Sequence, residues 1–229
     1  MPTLSLRTKL FVGLTIATGA ALLFGGLISD HRLLSPEHFL ECVVLSLLAS
    51  TFKIKLPRMQ STIGANFVLF LIAISQFALG ETLIIAALSC LVQCMWRPTT
   101  RPKTVQVFFS VASTVISVAL AFELTSGLRA AGSVVPELVA ASAIFFVANS
   151  GLMSVVLGLV RSESPLEIWR NCHRWAFPYY LAGSILAVAI ALCIGVSGWA
   201  PALSMLPMLY MIYTCYGQWI RPEAEKAIA

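Results

Sequence analysis

The side chains with the clearest chemical potential lie just after Pro36, where two carboxylates accompany a histidine. Glu37 and His38 precede Glu41 by four and three residues, so a helix places all three on one face. Carboxylates attract cations, and an imidazole adds a nitrogen that can hydrogen-bond or bind metal. The spacing therefore indicates a face that takes a cation, an amine or a metal ion.

Two further residues stand out by position. Glu123 lies near the carboxyl end of an apolar run, where the helix dipole disfavours a carboxylate. Asn149 lies inside another apolar run, where it can bind a polar ligand or join two helices. The predicted ligand-binding residues are Glu37, His38, Glu41, Glu123 and Asn149, with His31 as a further candidate for the same acidic pocket.

A purely structural interpretation of these residues stays open. Glu41 and Glu123 can reach the membrane interface or pair with Arg32 and Arg129, and Asn149 can hydrogen-bond a neighbouring helix. The helix dipole alone accounts for acids in first helical turns. The acids predicted at such positions are Glu37, Glu81 and Glu137.

No pattern typical of an enzyme or a metal centre occurs in the sequence. It has three histidines and lacks a nucleophile–base arrangement, a phosphate-binding loop and a metalloprotease helix. Cys90 and Cys94 lie about one helical turn apart, but two thiols alone are too few to predict a soft-metal site. We therefore expect a protein without catalytic activity. The sequence predicts no metal site and identifies no cofactor.

The elements that position these residues must lie in a membrane. Of the 229 residues, 59% are hydrophobic and 11% are charged, and the mean hydropathy is +0.89. Soluble domains are about 45–50% apolar and about 25% charged, and a sphere of this size cannot bury so much apolar surface. The composition excludes a soluble enzyme, a disordered chain and a secreted disulfide scaffold. Because the basic residues are dispersed, nucleic acid is not an expected partner.

Apolar runs that approach the roughly 20 residues of a membrane span recur along the chain. Each must be helical in lipid, because unpaired backbone groups cannot face hydrocarbon. We predict a single transmembrane domain over residues 1–229, an all-α polytopic bundle of about eight helices. Thr82–Met95 is short for a crossing, so six spans plus a re-entrant hairpin at 62–95 is the alternative. The predicted spans are Leu10–Ile28, Pro36–Phe52, Thr62–Leu79, Thr82–Met95, Val105–Leu124, Glu137–Val160, Phe177–Val196 and Pro201–Trp219.

The basic residues predict the orientation of these spans. With the amino terminus in the cytoplasm, all of the 15 lysines and arginines except Arg32 and Arg129 fall on the cytoplasmic side. Such an asymmetry is what the positive-inside rule describes. We therefore expect both termini in the cytoplasm and most of the acids on the outer side.

Several short motifs between Lys53 and Val107 resemble those of a known family. They are KIKLP from Lys53, STIGAN from Ser61, Gly80-Glu81, LVQCMWRP from Leu91 and RPKTVQV from Arg101. Over roughly residues 50–125 the chain resembles the polytopic membrane module that precedes HD-GYP or diguanylate-cyclase output domains in bacterial signalling proteins. The resemblance implies a bacterial inner membrane and a sensory or ligand-binding role, and it carries over no catalytic residue. Since no output domain follows Arg221, we expect a free-standing relative or a truncated form.

Three functions are consistent with the sequence. A sensory or ligand-binding module without catalytic output predicts a polar pocket on the outer side and a membrane or cytoplasmic protein partner. A small-molecule transporter or substrate-capture subunit predicts interrupted helices near the midplane. An accessory structural subunit predicts strips of small residues for helix contact. The expected partners are the lipid bilayer, a protein, and a small cationic or polar ligand.

Overall fold

The computed structural model describes residues 5–29, 36–55, 62–98, 101–173, 176–200, 204 and 206–226. Within these ranges the chain is almost entirely helical, because nearly every segment is an apolar run that has to satisfy its backbone groups internally. One short β-hairpin interrupts the helices. The elements are α1 (Leu6–Ser29), α2 (Pro36–Ala49), β1 (Lys53–Lys55), β2 (Thr62–Gly64), α3 (Phe67–Gln76), α4 (Leu79–Met95), α5 (Thr104–Leu124), α6 (Ser126–Ala130), α7 (Val134–Arg161), α8 (Pro165–Ile168) with a π-helical turn at Trp169–His173, α9 (Phe177–Ser197) and α10 (Leu206–Lys226).

Four of the described helices are long and apolar enough to cross a membrane, which makes the chain an integral membrane protein. They are α1, α5, α7 and α9. Helices α3 and α4 are apolar but shorter, at 10 and 17 residues. Helix length therefore establishes a polytopic helical bundle. It does not by itself establish the predicted number of about eight spans.

The β-hairpin is the main departure from the predicted elements. Lys53 pairs with Gly64 and Lys55 with Thr62 in an antiparallel register. The predicted span from Thr62 therefore begins as a strand, and its helix starts only at Phe67. β-Branched residues favour strands and can be as apolar as the residues of a membrane helix. Hydropathy therefore does not distinguish such a strand from the start of a helix.

Helix α3 is the centre of the bundle. Its first eight residues are all buried, and it packs against α2, α4, α7 and α9. The ring of Phe67 packs on Phe145 and Tyr180 at centroid distances of 5.3 and 4.5 Å. The helix ends at Gln76, and the chain reverses at Phe77 and Ala78 into α4.

Contacts between distant parts of the chain define two ends of the bundle. At the hairpin end, the Lys53 ammonium donates to the Trp96 carbonyl after α4, and Thr8 in α1 donates to the Leu159 carbonyl in α7. At the other end, which we call the acidic end, His38 at the start of α2 stacks on Trp199 after α9. Successive long helices therefore connect the two ends in alternation.

Charge separates between these two ends. The basic residues at the hairpin end whose side chains the structure describes are Arg7, Lys9, Lys53, Arg97, Arg101, Lys103, Arg161 and Arg170. The described carboxylates at the acidic end are Glu37, Glu41, Glu81, Glu123 and Glu137. Arg129 lies at the acidic end, and Glu163 and Glu167 lie at the hairpin end.

Candidate functional site

The predicted face of α2 forms a small cluster at the acidic end. His38 Nδ1 lies 3.4 Å from Glu41 Oε2, and both side chains are partly accessible, at 39% and 46%. The imidazole stacks on the indole of Trp199 at a centroid distance of 5.0 Å and an interplanar angle of 10°. His38 thus contacts both the Glu41 carboxylate and one face of the Trp199 indole, and aromatic faces attract organic cations.

Aromatic side chains connect this cluster to the central helix. Trp199 packs on Phe77 at 5.7 Å, and Phe77 meets Phe39 edge to face at 6.1 Å. Phe77 directly follows the last residue of α3 and caps that helix, so the packing of its ring fixes the position of the α3–α4 turn. The cluster His38–Glu41–Trp199–Phe77, which we call the acidic-end cluster, therefore joins α2, α9 and α3.

Two further predicted acids, Glu37 and Glu123, are exposed at helix ends. Glu37 lies on the first turn of α2 and is exposed. Glu123 is exposed at the end of α5, which packs against α1, α4 and α7, whereas α2 packs against α3 and α4. Helices α2 and α5 share α4 as a neighbour, and the grouping of Glu123 with Glu41 stays a prediction. His31 and Arg32 lie outside the described residues.

Arg129 pairs with Glu137 rather than with Glu123. Its Nε donates to Glu137 Oε1 at 2.7 Å, its Nη2 donates to the Phe122 carbonyl at 3.2 Å, and its guanidinium lies 3.8 Å from the centroid of the Phe122 ring. Glu137 is in the first turn of α7, as predicted, but it is also buried. This pair fixes α6 against α7 and has a structural role.

Glu81 is the buried carboxylate of the α3–α4 turn. It is 3% exposed, and its Oε2 accepts a hydrogen bond from the Ala78 amide at 3.0 Å. Its Oε1 has no hydrogen-bond partner among the residues that the structure describes. The prediction of a first-turn carboxylate is confirmed by the capping bond, whereas no sequence pattern indicated that this carboxylate is buried.

Asn149 lies inside the bundle, away from the acidic-end cluster. Its Oδ1 accepts a hydrogen bond from Ser113 Oγ of α5 at 3.4 Å, and its side chain also hydrogen-bonds Tyr180 of α9. These contacts join α5, α7 and α9, which favours the packing interpretation. Ligand binding at Asn149 stays a prediction.

The hairpin end is held by a second set of polar contacts. Asn66 Nδ2 donates to Ser50 Oγ at 3.3 Å and to Gln93 Oε1 at 3.1 Å. The hydroxyls of Tyr213 and Tyr179 donate to the carbonyls of Lys53 and Gly64 at 3.3 and 3.4 Å. These bonds attach the hairpin to α2, α4, α9 and α10.

A surface cavity of about 660 Å³ lies beside α8 at the same end. Glu167 and Arg170 give its wall charges of both signs, and a backbone turn at Ser162, with φ of 57°, leads into α8. The cavity is open and lies at the end opposite the acidic-end cluster. Its described lining residues are Ser164, Leu166, Glu167, Arg170 and Asn171.

Sequence reasoning identified His38 and Glu41 and missed their aromatic partners. Trp199 follows His38 by more than 150 residues, and no local pattern links them. Phe77 is one apolar residue among many, and only its position at the helix break distinguishes it. The Pro-Glu start of α2 was the one signal available for this end of the bundle.

Comparison with known proteins adds no assignment. No family model, no curated protein and no solved structure matches this chain.

Proposed function

We propose that this protein is a membrane-embedded sensory module that binds a small organic cation at the acidic end and acts, without catalysis of its own, through a protein partner at the hairpin end. The acidic-end cluster is the observation that carries the proposal. It combines an aromatic surface with an accessible carboxylate, and an ammonium group over an indole gains about 0.5–2 kcal/mol, depending on its desolvation. The net negative charge of this end attracts cations further.

The position of the cluster supports sensing. Phe77 ends a helix that is buried on all sides, and the other end of that helix begins beside the hairpin at Phe67. Packed interiors transmit displacements because they have few voids. A ligand that shifts Trp199 and Phe77 therefore displaces α3 and the hairpin attached to it.

The separation of charge supports an orientation. Basic residues collect on the cytoplasmic side of membrane proteins, so we place the hairpin end in the cytoplasm and the acidic end outside. With α1, α2, α5, α7, α9 and α10 each crossing, and α3 and α4 together entering and leaving at the hairpin end as two short spans or as a re-entrant hairpin, both termini lie in the cytoplasm. In the bacterial inner membrane, the cavity beside α8 then faces a cytoplasmic partner.

The proposal is tested by measuring the binding of n-butylammonium and tetramethylammonium to the protein in mild detergent, with tryptophan fluorescence as the signal. Glu41→Gln removes the accessible carboxylate and keeps its shape, and Trp199→Leu removes the aromatic surface. We expect each variant to weaken binding of both cations at least tenfold, which corresponds to about 1.4 kcal/mol. Because Trp199→Leu also changes the fluorescence, calorimetry supplies its affinity.

Glu167→Gln is the matched control, since it makes the same chemical change on an exposed residue at the opposite end. It should bind both cations as the parent protein does. Unchanged affinity in Glu41→Gln, or an equal loss in Glu167→Gln, would show that the acidic-end cluster is not the binding site.

Transport is the second candidate, and the α3–α4 break favours it. Interrupted helices that meet inside a bundle are typical of transporter binding sites, and the buried Glu81 lies at this break. Proteoliposomes that accumulate labelled n-butylammonium faster than protein-free vesicles would favour a transporter over a sensor. Binding without flux would favour the sensor.

A further inference from the structure

Two thiols face each other on successive turns of α4 near the hairpin end. The side chains of Cys90 and Cys94 hydrogen-bond each other. Thr114 Oγ1 of α5 donates to Cys90 Sγ at 3.3 Å, and the Ser110 side chain hydrogen-bonds Cys94. Both sulfurs therefore receive a hydroxyl from the same neighbouring helix, and such contacts stabilise a thiolate.

A fixed positive charge lies beside the pair. Lys53 interacts electrostatically with Cys94, and its ammonium is held in place by donation to the Trp96 carbonyl. Cys90 is 6% exposed, whereas Cys94 is half-buried, so the pair is reached from the Cys94 side.

The donor set determines which metal fits. In the part of the chain that the structure describes, no three histidine, cysteine or acidic residues come together to hold a metal ion. Zinc in structural sites takes four such ligands, so two thiols do not meet its requirement. Soft thiolate ligands select Cu(I), a d¹⁰ ion that is stable with two ligands in a line.

We propose that Cys90 and Cys94 form a two-coordinate site for Cu(I), with Lys53 as its counter-charge. Each thiol loses a proton as its sulfur binds, so binding one Cu(I) releases two protons and involves no electron transfer. Two thiolates and one Cu(I) carry a net charge of −1, which the Lys53 ammonium neutralises. The inference is independent of the cation-sensing proposal, since it uses other residues at the opposite end.

The site is tested with the full chain in detergent, reduced and free of oxygen, by titrating Cu(I) against bathocuproine disulfonate, a chelator specific for Cu(I). We expect one tightly held equivalent in the parent protein, lost in Cys90→Ser and in Cys94→Ser. Cys193→Ser and Cys215→Ser are the matched controls, because these free thiols lie on α9 and α10; both should keep the equivalent. Lys53→Met should weaken binding at least tenfold, and Zn(II) should not compete.

A second measurement covers the case in which a serine variant fails to fold. In the parent protein, bound Cu(I) should protect the accessible Cys94 from alkylation by N-ethylmaleimide, and mass spectrometry locates the protected residue. Retention of Cu(I) by Cys94→Ser would overturn the proposal. So would an unprotected Cys94 in the loaded protein, equal binding of Zn(II), or a mass loss of two hydrogens that shows a disulfide in place of the metal.

Discussion

At the scale of single residues, the ion pair of Arg129 and Glu137 is the contact whose loss should lower the free energy of unfolding most. Glu137 is 3% exposed and Arg129 is 25% exposed, so Arg129→Met leaves a buried carboxylate without its charge partner. Breaking such a pair costs about 3–5 kcal/mol, and the partial exposure of Arg129 places the expected loss near 3 kcal/mol. Thermal unfolding in detergent measures it.

Two comparisons separate this explanation from a general loss of packing. Arg161→Met, an exposed change at the other end of α7, should alter stability by less than about 0.5 kcal/mol. The double variant Arg129→Met, Glu137→Met removes both charges and should be more stable than Arg129→Met alone. A double variant that is less stable than the single one would contradict a role for the charge.

Residue types predicted part of the candidate site and could not predict the rest. The spacing of His38 and Glu41 placed them on one face, and the 3.4 Å contact confirms this. The same reasoning grouped Glu123 with them, and that grouping stays a prediction, because the sequence indicates the position along each helix but not the packing between helices. Which helices become neighbours depends on side-chain shapes over the whole bundle, and one sequence does not reveal them.

At the scale of elements, helix limits were predicted well wherever a long apolar run is bounded by polar residues. The run predicted at Val105–Leu124 is observed as Thr104–Leu124, and the run predicted at Phe177–Val196 as Phe177–Ser197. The prediction was wrong at Thr62, where strand and helix residues are equally apolar. Hydropathy therefore locates buried segments, and backbone pairing determines whether some of them form a strand or a helix.

The contact of α1 with α5 gives a prediction at this scale. A Cβ added at Gly19 would lie 2.6 Å from Cα of Ala112, whereas one added at Gly13 would meet nothing within 4 Å. Gly13→Ala should raise stability by about 0.5–1 kcal/mol through helix propensity. Gly19→Ala should lower it by about 1–3 kcal/mol, because the two helices have to separate.

Thermal unfolding of the two alanine variants tests this difference in stability, since each kcal/mol shifts the unfolding midpoint by about 2–4 °C in a chain of this size. The two glycines share one helix and one substitution, so their difference isolates the α1–α5 contact. Midpoints that shift in the same direction would show that Gly19 is not needed for close packing.

At the scale of the whole molecule, the opposite charges of the two ends make an orientation testable. Helix α7 has 28 residues, about 42 Å at 1.5 Å per residue, which exceeds the hydrocarbon core of about 30 Å. Ala131 precedes it at the acidic end and Glu163 follows it at the hairpin end, and both are exposed. A cysteine at either position therefore reports the side on which that end lies.

We expect a membrane-impermeant maleimide to label Ala131→Cys in intact cells and Glu163→Cys only after the membrane is broken, in a background in which all six native cysteines are serine. The reason is the positive-inside rule applied to two ends that differ in charge. Labelling of Glu163→Cys from outside would show that the protein has the opposite orientation in the membrane. The acidic-end cluster would then meet cytoplasmic cations, and the hairpin with its thiol pair would face the exterior.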